Sequence, residues 1–217
     1  MPDQEIPAVA RRSDWRISWL LVLLSAIPIL AGMVRLAGLS RGGPITVENA
    51  RFFASPLPVA IHIVAATCYC ILGAFQFAPA FRRRRPRWHR LAGRVLVPCG
   101  LASALSGIWM TLRYPLPPGL QGPLLYGFRI IIGSVMFGGL AWGLAAILRR
   151  DIRTHRAWMM RAYAIGQGAG TQALILLPWT VAVGEPLGLT RDLLMITAWI
   201  INLAVAEWTI GRRPAAG

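Results

Sequence analysis

The segment LLYGFRIIIGSVMFGGLAWGLAAIL, from Leu124 to Leu148, carries one charge, Arg129, in 25 residues. Roughly 20 apolar residues rising about 1.5 Å each cross a hydrocarbon core of about 30 Å. A chain in lipid must satisfy its own backbone hydrogen bonds, so this segment is expected to be a helix. Five further stretches read the same way: Ile17 to Leu36, Pro58 to Ala80, Leu91 to Leu112, Ala157 to Val183, and Leu193 to Ile210. The expected architecture is all-α, a polytopic bundle of about six transmembrane helices. Residues 17–211 form one membrane domain, with a short N-terminal segment (1–16) and a tail (212–217).

Composition agrees. Hydrophobic residues make up 56%, charged residues 14%, and the mean hydropathy is +0.55. A soluble domain carries about 25% charged residues, and a basic disordered tail is poor in apolar ones. The 23 basic residues are all arginine, and the net charge is +15. A nucleic-acid binder would spread such charge over a wet surface, so no nucleic-acid partner is expected. Arg11, Arg12 and Arg16 precede the first stretch as in a signal peptide, but the apolar run is long and no small-x-small cleavage site follows. Leu30-Ala31-Gly32 lacks the cysteine that lipidation requires, because Met33 follows.

Placed on the spans, 17 of the 23 arginines fall at one end, in the N-terminal segment, the second and fourth connections and the tail. The positive-inside rule then puts both termini in the cytoplasm, as an even number of crossings also requires. The expected location is the inner membrane of a bacterial cell. The opposite end holds Arg35, Arg41, Arg51, Arg113, Arg129 and Arg191, with a Pro-rich link around Pro115, Pro117 and Pro118.

Two arginine-rich turns share a pattern. Arg87-Trp88-His89-Arg90 is followed by Arg94, and Arg153-Thr154-His155-Arg156 by Arg161. Each stands before a span running out from the arginine-rich end. This suggests an internal repeat of two helix hairpins, spans two and three against spans four and five. Arginines near a helix start can hold phosphate or carboxylate. The plainer reading is that they set topology and touch anionic lipid headgroups.

Gly73-Ala-Phe75-Gln76-Phe77, the arginine run, Pro86-x-x-His89-Arg90, Gly93-Arg94 and His155-Arg156-x-Trp158-Met159-x-Arg161-x-Tyr163 resemble a bacterial membrane family known as domain of unknown function 2306. The likeness covers roughly residues 61–177. It implies a helical membrane fold and, through a histidine early in the second span, a match to His62. It also implies an arginine late in the fifth span, where this chain has Thr171-Gln172. The family brings no established activity.

Ionisable residues inside spans are functional candidates. His62 and Arg129 each lie just inside the end opposite the arginine-rich one. With Arg35, Arg113 and Tyr126 they can line a shallow pocket for an anion or a quinone-like headgroup. Glu207 can pair with Arg94 or Arg161. Gln76, Gln167, Gln172 and Asn202 can bridge helices. Cys68, Cys70 and Cys99 read as small fillers, with neither disulfide nor zinc spacing. Gly139-x-x-x-Gly143 and Gly166-x-x-x-Gly170 read as close-packing faces for spans four and five.

The ligand-binding candidates are thus His62, His89, Arg90, Arg94, Arg129, His155, Arg156 and Arg161. The leading reading is a protein that binds an anionic lipid or small hydrophobic anion. A b-type haem protein using His62, His89 or His155 and a helix-packing subunit of a larger complex or homo-oligomer are alternatives. No Ser-His-Asp set or HExxH is present.

Overall fold

The protein is described by a computed structural model, covering residues 8–77 and 85–212. Arg82, Arg83, Arg84 and Arg213, and the side chains of Arg11 and Arg12, lie outside the described part. Among the described residues eight helices follow one another: α1 (Ala8–Ser40), α2 (Ala50–Ala54), α3 (Pro56–Gln76), α4 (Pro86–Arg113), α5 (Pro123–Leu148), α6 (Ile152–Gly166), α7 (Gly168–Val183) and α8 (Gly188–Gly211). Among the described residues five helices, α1, α3, α4, α5 and α8, are long and apolar enough to cross a membrane. Proline opens α3, α4 and α5, where the missing N–H costs nothing. Buried Asp192 of α8 caps α5 across the bundle, accepting from the Gly122 N–H at 2.9 Å and the Leu125 N–H at 3.1 Å.

The fifth expected span is not one helix. It divides at Gln167 into α6, of 15 residues, and α7, of 16. Gln167 keeps near-helical angles (φ −76°, ψ −2°), so the ladder breaks without reversing the chain. The Gly170 and Thr171 N–H groups both turn to the Gln167 carbonyl. The carbonyls before the break accept side-chain donors instead. Asn202 Nδ2 reaches Ala164 O at 3.1 Å, Trp199 Nε1 reaches Ile165 O at 3.2 Å, and the Cys70 thiol lies 3.6 Å from Gly166 O. Broken helices survive at membrane depth only where neighbours re-satisfy the freed groups.

The break has a packing consequence. α6 packs against α3, α5 and α8, whereas α7 packs against α1 and α8. The α6 half of this crossing therefore fills the bundle centre, and the α7 half joins the wall. Around the α7 half a ring closes in the order α1, α3, α4, α5, α8, α7. Below it, Tyr69, Leu96, Ile132, Met136, Leu140, Ala162 and Tyr163 form the buried core.

The small-residue faces do what their spacing suggests, with one difference. A Cβ on Gly139 would stand 2.8 Å from the Trp158 ring, and Gly143 lies against Trp158 and Met159, so α5 meets α6 closely. Gly166, however, abuts Tyr69 of α3, and Gly170 abuts the Leu24 backbone of α1. That second face serves the ring, not span four. The two hairpins also keep register. Arg87-x-His89-Arg90 occupies the second to fifth residues of α4, and Arg153-x-His155-Arg156 the second to fifth of α6. His62 and Arg129 are each the seventh residue of a helix that begins with proline, α3 and α5.

Candidate functional site

The centre vacated by α7 is a cavity of about 440 Å³, within the range of sites that hold drug-sized ligands. Its wall on α5 runs from Arg129 to Met136 and along α4 from Ser103 to the C-cap Tyr114 just past its end. At 1.5 Å per residue these walls are about 10–16 Å long. The middle is apolar, with Ile63, Ala66, Ile108, Ile132 and Met136. The broken crossing supplies the floor through Gly166, Gln167 and Gln172.

Two sequence candidates, His62 and Arg129, meet in this cavity. Each lies about 9 Å from its helix start, by six steps of 1.5 Å. The Nδ1 of His62 lies 3.0 Å from the Ser103 carbonyl and 3.1 Å from Ser106 Oγ. A carbonyl can only accept, so Nδ1 carries the proton and Nε2 the lone pair. Arg129 donates to Gln121 Oε1 through Nη1, and its Nη2 lies 3.8 Å from Met195 Sδ. Among the described residues the ion pairs are Arg161–Glu207 and Arg191–Glu185, so Arg129 has no carboxylate in contact. Asp192 is nearby, but both of its oxygens are engaged in capping α5.

The mouth holds residues that sequence reading missed. Arg51 of α2 lines the cavity, and its buried Nη1 has no hydrogen-bond partner. Burial and the neighbouring Arg35 hold its guanidinium below the ordinary arginine value. Arg35 and Arg51 both stack on Phe52, 4.1 and 4.4 Å from the ring centroid. Tyr114 donates to Ser55 O at 2.5 Å and packs edge-on against Phe52 and Trp109. Arg35, Arg113 and Tyr126, expected in this pocket, are exposed and do not line it.

Below the cavity a buried polar string ties three elements together. Ser25 Oγ donates to Gln167 Oε1 at 2.9 Å, Gln167 Nε2 donates to Tyr163 Oη at 2.7 Å, and Tyr163 donates to Cys70 O at 2.7 Å. Gln172 donates to Met195 O, and Asn202 accepts from Thr171. Gln167, Gln172 and Asn202 thus bridge helices as expected, whereas buried Gln76 has no hydrogen-bond partner among the described residues. Cys68, Cys70 and Cys99 are free thiols.

The other candidates stand at the arginine-rich end, away from the cavity. His155 donates from Nδ1 to Gly143 O at 2.8 Å, locking α6 onto α5. Arg161 pairs with Glu207, 2.5 Å from Nε to Oε1 and 2.9 Å from Nη2 to Oε2. Arg90 and Arg94 are exposed, and His89 and Arg156 half-buried. Only His62 brings an imidazole to the cavity, so no second histidine is there to complete a two-histidine haem site.

A family model described as "Predicted membrane protein (DUF2306)" matches residues 59–210. The chain belongs to this family. The DUF2306 match begins at the start of α3 and ends in α8, so it takes in both hairpins and most of the cavity wall. Comparisons with curated proteins and with solved structures gave no match.

Proposed function

We propose that this DUF2306 member binds a small amphipathic anion in the ring cavity. The acidic group would meet Arg129 and Arg51, and the apolar body would extend between α3, α4 and α5. One observation carries this reading: Arg129 stands inside a membrane helix, on a cavity wall, with no carboxylate in contact. An intramembrane guanidinium with no carboxylate in contact is costly. An incoming carboxylate or phosphate can take two parallel hydrogen bonds from it. The unpartnered Nη1 of Arg51 adds a second donor at the mouth. The natural source of such an anion is a membrane lipid or a lipophilic acid partitioning from it.

The arginines of the other end set orientation on this account. Both termini face the cytoplasm of a bacterial cell, and the cavity mouth faces outward. Arg90, Arg94 and Arg156, with His89, rest at anionic headgroups of the inner leaflet. His155 and Arg161 are spent on helix packing.

The test is a binding titration of detergent-solubilised protein with cinnamate and with cinnamyl alcohol. Cinnamate should bind, the alcohol at least tenfold more weakly, and Arg129→Gln should erase the difference. Equal binding of acid and alcohol to the native protein would refute the proposal.

A further inference from the structure

The cavity offers acceptors as well as cations, and this narrows what it can hold. His62 spends its Nδ1 proton on Ser103 O, leaving Nε2 with a lone pair and no protein donor. Gln172 is 7% exposed and lines the cavity. Its Nε2 donates to the Met195 carbonyl at 3.2 Å. That carbonyl can only accept, so the amide orientation is fixed and Oε1 is the atom left over. No donor in the described protein reaches Oε1 or His62 Nε2. Both residues line the cavity, so a hydroxyl on the occupant can donate to either atom.

The polar groups are spread along the cavity. Arg51 belongs to the mouth, and Arg129 and His62 are level with each other on facing hairpins. Gln172 stands one turn into α7 beyond the break at Gln167, and its amide reaches Met195, which Arg129 also approaches. A simple fatty acid would satisfy the arginines and leave both acceptors bare. An occupant with a hydroxyl or phenol group beyond its acid would satisfy both sets. A phosphodiester, which has no O–H when ionised, would leave them bare as well.

We infer that the cavity selects hydroxylated amphipathic acids, the acidic group held by Arg129 and Arg51 and the hydroxyl donating to His62 Nε2 or Gln172 Oε1. This rests on the anion-binding reading above and adds a requirement to it. No bond forms or breaks; the hydroxyl keeps its proton and shares it. A phenol titrates near pH 10, so it is a neutral donor at pH 7.

The probe pair is cinnamate and 4-hydroxycinnamate, which differ by that one hydroxyl. Titrated at pH 7 into the full chain in detergent, the hydroxylated acid should bind about tenfold more tightly, the worth of one satisfied buried acceptor. His62→Phe, which keeps a ring and loses Nε2, and Gln172→Leu test the two acceptors separately. At least one of them should cut 4-hydroxycinnamate affinity about tenfold while cinnamate changes less than twofold. Arg129→Gln should weaken both acids alike. If the two acids bind equally well to the native protein, the hydroxyl requirement is wrong and the anion reading survives. If neither acid binds, both fail. If the preference persists in both acceptor variants, the hydroxyl is read elsewhere and the assignment to His62 and Gln172 is overturned. Circular dichroism of each variant separates lost binding from lost fold.

Discussion

Replacing Trp199 by Phe and Asn202 by Leu removes the two α8 donors that serve the broken crossing. Trp199 donates to Ile165 O at 3.2 Å. Asn202 donates to Ala164 O at 3.1 Å and accepts from Thr171 Oγ1 at 2.8 Å. Three hydrogen bonds are lost between membrane helices. Such bonds average about 0.6 kcal/mol and reach about 1.7, so the pair of substitutions should cost about 2 kcal/mol and no more than about 5. Two adjacent carbonyls are then left bare, and orphaned acceptors push toward the upper value. The two sites share one stretch of backbone, so their effects should not simply add. The assay is reversible unfolding in mixed micelles by titration with a denaturing detergent, followed by far-ultraviolet circular dichroism. Trp208→Phe is the control: it is 58% exposed and its ring contact is with Arg212 at 3.8 Å. It should change stability by less than about 0.5 kcal/mol. A double variant no less stable than this control would refute the idea that side chains hold the break open.

Other perturbations have expected outcomes. Gly139→Ala should destabilise by about 1–3 kcal/mol, because its Cβ meets the Trp158 ring. Its neighbour Gly138→Ala, with open space around the Cβ, should be neutral or stabilise by up to about 1 kcal/mol in the same assay. Asp192→Asn leaves one acceptor oxygen where two N–H groups are capped, and should cost about 1–2 kcal/mol. Asp151 caps α6; hydrogen bonds from Thr154 hold its carboxyl below the usual carboxylate range. Its contribution is therefore full above the ordinary aspartate value and is lost as pH falls through the lower folded value. Hydrogen exchange of the first turn of α6 should rise at that acidic limb in the native protein and be insensitive to it in Asp151→Ala.

The crossings were legible because composition fixes them. A run such as Leu124–Leu148 has no soluble alternative, and the arginine asymmetry aligns the hairpins. The break at Gln167 was hidden because Ala157–Val183 is apolar enough on both sides of it to read as one span. The available signal was a polar residue between two glycines, Gly166-Gln167-Gly168, where helix propensity is poor. What holds the break comes from α8 and α3, and no local reading supplies that. His62 and Arg129 stood out as ionisable residues inside spans, and the shared seventh position shows how far the hairpin repeat extends. Arg51, Tyr114 and Gln172 did not stand out. The first two lie in connections whose approach to the cavity depends on how the ring closes, and Gln172 reads as one more helix-bridging amide. Arg113 and Tyr126 are near in sequence to the right residues but turn outward.

The most direct test asks what the cavity holds when the protein leaves its own membrane. Native protein and Arg129→Gln are purified in mild detergent, denatured, and their released small molecules compared by negative-ion mass spectrometry. An amphipathic acid should be released by the native protein and be depleted at least tenfold from the variant, with Arg129→Lys intermediate. The same acids in the same amounts from both proteins would contradict it.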